Sequence, residues 1–118
     1  MTHSRPDLSY AVHPLSQFKQ TPRTSHTMAL EHTLSYLKGT SGQGILLNAS
    51  GPLILKAFSD SDWASCSFSR RSVTGYMVML GTSPISWKSK KQPTVSKSSA
   101  EAEYCVISQA ASAVTWLA

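Results

Sequence analysis

The chain has 118 residues, one domain or part of one, and 41% of them are hydrophobic, enough to build a real core. Eleven Lys and Arg against six Asp and Glu give a formal charge of +5, which favours anionic partners, nucleic acid first. Cys66 and Cys105 are too few for a disulfide framework or a zinc site, so a reducing, intracellular setting is expected, cytoplasmic or nuclear; no apolar run reaches membrane-spanning length, and the start has no apolar signal core.

Pro6 suits the first turn of a helix, and Leu8, Ala11, Val12, Leu15 and Phe18 recur at helical spacing. Pro14 lies inside that pattern and is expected to kink or split the helix. After Thr21-Pro22-Arg23, a second helix is expected to run to about Lys38, capped by Thr24 or Ser25, with Leu30, Leu34 and Leu37 as its stripe and Gly39 past its end. Ile45-Leu46-Leu47 reads as a short strand between two turns. Residues 53–60 read as a strand with Leu53, Leu55 and Ala57 on one face and Ile54, Phe58 and Asp60 on the other. Residues 66–71 form a basic loop, 72–80 a strand rich in β-formers, 81–84 a hairpin turn and 85–88 a half-buried strand. Ser98 opens a last helix. The pattern is mixed α and β.

Two acidic motifs stand out. Asp60 and Asp62 close the 53–60 strand, and a carboxylate there is costly unless something compensates it. A metal ion is one candidate; a polar strand end, where Asp and Ser are common, is the other. Glu101 and Glu103 open the last helix and differ in kind. Ser98-x-x-Glu101 is a capping box, which gives Ser98 and Glu101 a structural role. Glu103 heads a stripe with Ile107, Ala110, Val114 and Leu117 that should pack on the sheet, so it needs a partner or must reach out at the first turn. From Gly51 onward these four are the only acids, set among Lys56, Arg70, Arg71, Lys88, Lys90, Lys91 and Lys97. Acids confined to two tight motifs in a basic field suit a Mg²⁺ or Mn²⁺ site on a nucleic-acid surface; the plain alternative is a solvated basic surface.

Ser59-Asp60-Ser61-Asp62-Trp63-Ala64 resembles the SDADWAG motif of the ribonuclease H domain in copia-type retrotransposon Pol polyproteins. Arg71-Ser72-Val73-Thr74-Gly75-Tyr76, the segment from Ile85 to Gln92 and Ser98-Ser99-Ala100-Glu101-Ala102-Glu103-Tyr104 resemble motifs of the same domain. Arg5 to Val12, Leu15 to Phe18 and Tyr36-Leu37-Lys38-Gly39-Thr40 look like the end of the reverse transcriptase and its connection. The resemblance covers nearly the whole chain in order. It implies a connection segment over 1–50 and the N-terminal half of a ribonuclease H-like domain over 51–118. The expected fold is a truncated α/β one: an antiparallel three-strand meander plus a first helix, preceded by a helical connection.

In that family four carboxylates hold two divalent metals that hydrolyse the RNA strand of an RNA–DNA hybrid. By resemblance Asp60 and Glu103 are the first two catalytic, metal-binding acids, with Asp62 the second choice to Asp60. Arg70, Arg71, Lys88, Lys90 and Lys91 are the expected phosphate contacts, and the remainder of the polyprotein is an expected partner. The family's third and fourth acids lie later, past Ala118, so the chain is expected to be inactive alone. Ser65 replaces the usual glycine, Cys105 the usual arginine, and Pro14 is foreign to the connection helix. A non-catalytic nucleic-acid-binding module and a decayed pseudogene product are the rival readings.

Overall fold

The computed structural model describes residues 3–118, which form two compact units divided between Ile45 and Leu46. In the first, Pro6–Leu8 makes one 3-10 turn, followed by helices α1 (Ser9–Gln17) and α2 (Thr24–Gly39). Pro14 does not split α1, which continues past it for three residues and ends at Gln17. The N-cap of α2 is Arg23, not Thr24 or Ser25. The Arg23 amide donates to Nδ1 of His26 at 3.0 Å, so a histidine at the third helical position takes the part that Glu or Gln plays in a capping box, and the His26 ring stacks on Phe18 at 4.1 Å. Gly39 is the last helical residue. Thr40 follows it and its amide donates back to the Tyr36 and Leu37 carbonyls.

A polar network ties the two ends of this unit. The Arg5 guanidinium makes a two-point contact with Asp7, at 3.1 Å from Nε and 2.9 Å from Nη2. It also donates to the Thr40 carbonyl and hydroxyl, at 3.0 and 2.8 Å. Tyr36 Oη donates to Asp7 at 2.7 Å, and the guanidinium lies over its ring. The Arg-Pro-Asp and Tyr-Leu-Lys-Gly-Thr stretches thus act together to close the helical unit on itself.

In the second unit, strands β1 (Leu55–Asp62), β2 (Val73–Leu80) and β3 (Ser83–Lys91) form an antiparallel meander in the order β1-β2-β3. The expected strand at 45–47 is absent. Its backbone pairs with no strand, and Leu46 and Leu47 are 84% and 67% exposed. The β2–β3 turn is tighter than expected, with Gly81 and Thr82 alone at its tip. Gly81 has φ +62°, and a Cβ there would meet the Pro52 carbonyl oxygen at 2.7 Å, so no other residue fits without movement. Pro84 lies on an edge strand, where its missing N–H costs least, and Ile85 is the extra residue of a bulge, because Met79 pairs with Pro84 while Val78 pairs with Ser86.

Helix α3 (Ser99–Leu117) packs on β1 and β2. Ser98 Oγ accepts from the Glu101 amide at 3.2 Å, as a capping box requires, but the Glu101 carboxylate accepts from the Lys97 amide, not from that of Ser98. The buried line of α3 is Ala102, Val106 and Ala110, one residue round from the expected Glu103-Ile107-Ala110 stripe, and Ile107 is exposed. Alanines let the helix approach the sheet closely, an advantage that side-chain hydropathy does not register. On the sheet that α3 packs against, Val78 and Thr74 are also fully buried.

The core of this unit is partly polar. Gln92 Nε2 donates to Thr74 Oγ1 at 3.2 Å and to the Ala102 carbonyl at 3.1 Å, while its Oε1 accepts from Ser96 Oγ at 3.1 Å. The Gln92 amide donates to the Ser72 carbonyl. Ser72 Oγ in turn accepts from the Ala64 amide, and the Trp63 indole donates to the Ser96 carbonyl at 3.1 Å. One buried glutamine therefore joins β2, the segment before α3 and α3 itself. Because the side-chain amide is satisfied at both ends, its burial is sustainable.

Candidate functional site

Strand pleating decides what each site residue can reach. Directly paired residues share a face. Val78 and Thr74 face α3, so Ala57 and Ser61, their partners on β1, do too. Alternation then sends Phe58, Asp60 and Asp62 to the opposite face, and Asp62, expected just past the strand, lies inside β1 with Asp60. The expected grouping of Asp60 with Phe58 matches this register.

Glu103 sits on the flank of the buried line of α3, half-buried, and its Oε1 accepts from Ser61 Oγ at 3.0 Å. Asp60 Oδ1 accepts from the Ser61 amide at 2.9 Å. The fold therefore brings Glu103 onto β1 at the residue next to Asp60, with Ser61 between them. Asp62 is exposed at the last position of the strand. Glu101 points elsewhere, into its capping contact with Lys97.

These carboxylates have the hard-oxygen chemistry that Mg²⁺ takes. They do not close a site: among the described residues no group of three His, Cys, Asp or Glu is gathered so as to hold a metal ion. Asp60 and Glu103 are satisfied through Ser61, and strand alternation directs Asp60 and Ser61 to opposite faces.

The basic residues divide in the same way. Lys88 and Lys90 pair with Tyr76 and Thr74, so they project on the α3 side of the sheet, beside the helix, and both are exposed. Lys91 projects on the other face and donates to Cys66 Sγ at 3.7 Å. The stretch read as one basic run is thus two surfaces. Arg70 and Arg71 are exposed in a loop that closes on itself, with the Arg70 amide donating to the Cys66 carbonyl and the Cys66 amide to that of Arg71. Arg70 takes φ +55° to make that closure.

The same loop holds a feature that composition did not single out. The Ser69 side chain and backbone, then the Phe68 backbone, with the Lys91 charge adding less, bring the Cys66 thiol down to about 7 against the opposing effect of burial, although the buried Ser69 hydroxyl makes no hydrogen bond of ordinary geometry. A groove of about 630 Å³ runs along the other flank of α3, lined by Gln92, Glu101, Tyr104, Cys105 and Ser108; it does not include Asp60 or Glu103. Among the described residues no helix is long and apolar enough to cross a membrane.

Comparison with known proteins places the chain in a family. No family model matches the chain, and no solved structure matches it. Curated relatives do. The chain is 46% identical over 117 residues to the retrovirus-related Pol polyprotein from transposon RE1 of Arabidopsis thaliana, a match that covers 99% of the chain but 8% of the relative. It is 38% identical over 117 residues to the retrovirus-related Pol polyprotein from transposon TNT 1-94 of Nicotiana tabacum, again 99% of the chain and 9% of the relative. It is also 44% identical to a protein named secreted RxLR effector protein 161 from Plasmopara viticola, over 99% of the chain and 82% of that protein. The aligned stretch is thus a small part of the polyproteins and most of the effector. With identities of 38–46% over nearly its whole length to several such polyproteins, the chain belongs to the family of retrovirus-related Pol polyproteins from copia-type retrotransposons.

Proposed function

We propose that this chain is the part of a ribonuclease H-like domain that contributes Asp60 and Glu103 to cleavage of the RNA strand of an RNA–DNA hybrid. Alone, it holds nucleic acid without cutting it. The observation that carries the reading is the contact between Ser61 and Glu103, which sets the α3 carboxylate on β1 next to the Asp60 position. Resemblance pointed to the same two acids out of the four in this half of the chain. Asp60 and Glu103 offer the oxygen ligands that Mg²⁺ or Mn²⁺ takes, and the described residues by themselves form no three-donor group.

What the chain's own residues do follows from their surfaces. Lys88 and Lys90 project together beside α3, on the face that carries Ser61 and Glu103, and there they neutralise backbone phosphates. Phosphate contacts of this kind fix position and carry no base preference. Arg70 and Arg71 extend the basic surface from their loop.

Hybrid binding measured across a salt series tests this. The chain should bind a hybrid with affinity that falls steeply with salt, and Lys88→Ala with Lys90→Ala should reduce the salt slope by about two, roughly one per lysine. Lys91→Ala should reduce it less. Binding that ignores salt, or a slope untouched by the double variant, would make the lysines a solvated surface and remove the nucleic-acid reading.

A further inference from the structure

Ser61 presents two donors to two acids. Its backbone N–H reaches Asp60 Oδ1 at 2.9 Å, and its side-chain hydroxyl reaches Glu103 Oε1 at 3.0 Å. The register explains why one residue can do both. Ser61 pairs with Thr74 and so faces α3, while Asp60 belongs to the other face and folds back on the amide that follows it. Glu103 lies at the margin of the buried line, in the first two turns of α3, where an unrestrained glutamate would swing to water on three rotatable bonds. A hydroxyl donating to a carboxylate is a charge-assisted bond, among the stronger side-chain contacts, and both partners here are half-buried.

We propose that Ser61 is a positioning residue: it fixes Glu103 against β1 through its hydroxyl and Asp60 through its amide, so the two carboxylates keep a set spacing before any further ligand arrives. The inference rests on the reading of Asp60 and Glu103 as cooperating acids. It goes beyond that reading by assigning their spacing to a residue that is itself neither acidic nor a phosphate contact. The two bonds are separable. Ser61→Ala removes the hydroxyl and keeps the amide, so it should release Glu103 and leave Asp60 as it is. Ser61→Thr keeps a hydroxyl on a β-branched residue suited to a strand and should restore Glu103.

The test is NMR on the full 118-residue chain, with side-chain coupling constants at positions 60 and 103 followed by titration with Mn²⁺ as a paramagnetic probe. In the unsubstituted chain Glu103 should show couplings of a single rotamer, and Mn²⁺ should broaden Asp60 and Glu103 over the same concentration range. In Ser61→Ala the Glu103 couplings should average, the Asp60 couplings should not change, and broadening at both positions should need roughly three- to tenfold more Mn²⁺, the loss expected for one hydrogen bond of ordinary net strength. Ser61→Thr should reverse both effects. Glu103→Gln keeps an acceptor for Ser61 and so should keep its rotamer, while broadening at both positions should need more Mn²⁺ because one charged ligand is gone. Glu103 couplings that are the same in Ser61→Ala and the unsubstituted chain would overturn the assignment of Ser61. Averaged couplings in Ser61→Ala with no Mn²⁺ response at either acid in the unsubstituted chain would instead overturn the pairing of the two carboxylates, and the inference with it.

Discussion

The two units of this chain are held by opposite means. The helical unit buries little apolar surface: Leu8 is its one fully buried large hydrophobic residue among those described, and Met28, Leu30, Leu34 and Tyr36 on α2 are exposed. Its closure depends on Arg5, Asp7, Tyr36 and Thr40, a polar network in partial contact with water. The sheet unit buries Val78, Val106, Ala102 and Ala110 and sets a satisfied polar cluster around Gln92 among them. In both, the residues that carry the family resemblance are mostly polar groups with fixed partners. The difference lies in how far those partners are removed from water, so acid and salt should act on the first unit and core substitutions on the second.

The largest effect should come from the sheet unit. Gln92→Ala leaves Thr74, Ser96 and the Ala102 carbonyl without their partner in a dry setting and should cost about 3 kcal/mol, within the range for unsatisfied buried polar groups plus lost packing. Val106→Ala, which removes only apolar volume, should cost about 2 kcal/mol. Denaturant unfolding followed by tryptophan fluorescence reads both. If Gln92→Ala proved milder than Val106→Ala, the polar cluster would not be what joins α3 to the sheet.

The helical unit should respond to acid instead. Hydrogen bonds from Arg5 first and Tyr36 second hold the Asp7 carboxyl at about 2, below its ordinary 3.8. A depressed folded value means that the contribution is fully present above about pH 4 and is lost as pH falls through about 2. Melting of α1 and α2, followed by NMR between about pH 5 and 2, should show this loss, and Asp7→Asn should melt lower at neutral pH and lose that acid dependence. An acid response unchanged in Asp7→Asn would place it elsewhere. The smallest effect sharpens the contrast within the sheet unit: Cys66 should be alkylated with a half-point at about pH 7. Lys91→Met should raise that point only slightly, because the polar groups of Ser69 and Phe68 outweigh the lysine charge.

Regular periodicity made much of this fold legible. The presence and order of the three strands, the extent of α2 and the start of α3 follow from alternation, glycine placement and the Ser98 cap, while β1 and β3 differ in their ends from the expected 53–60 and 85–88. So does the face that Asp60 shares with Phe58. Hydropathy misled where small or polar residues do the packing. Ala102 and Val106 outcompete Glu103 and Ile107 for the sheet because alanine allows closer approach, and Gln92 and Ser96, which no expected element covered, lie in the core. Lys88 to Lys91 looked like one basic surface because spacing along the chain does not show that β3 continues to Lys91, where a period of two sends neighbours to opposite faces. Ile45 to Leu47 has strand composition but no partner backbone. His26 as a cap and Ser61 between two acids depend on contacts that no spacing rule anticipates.

The central claim is that Asp60 and Glu103 form part of a hydrolytic site and not all of one. Incubating the purified 118-residue chain with a labelled RNA–DNA hybrid and Mg²⁺ or Mn²⁺, beside a Glu103→Gln variant, tests it most directly. The expected result is salt-sensitive binding by both proteins and no cleavage by either. Robust cleavage by the unsubstituted chain that disappears in Glu103→Gln would contradict the account, because these residues, or those of a second copy, would then complete the site.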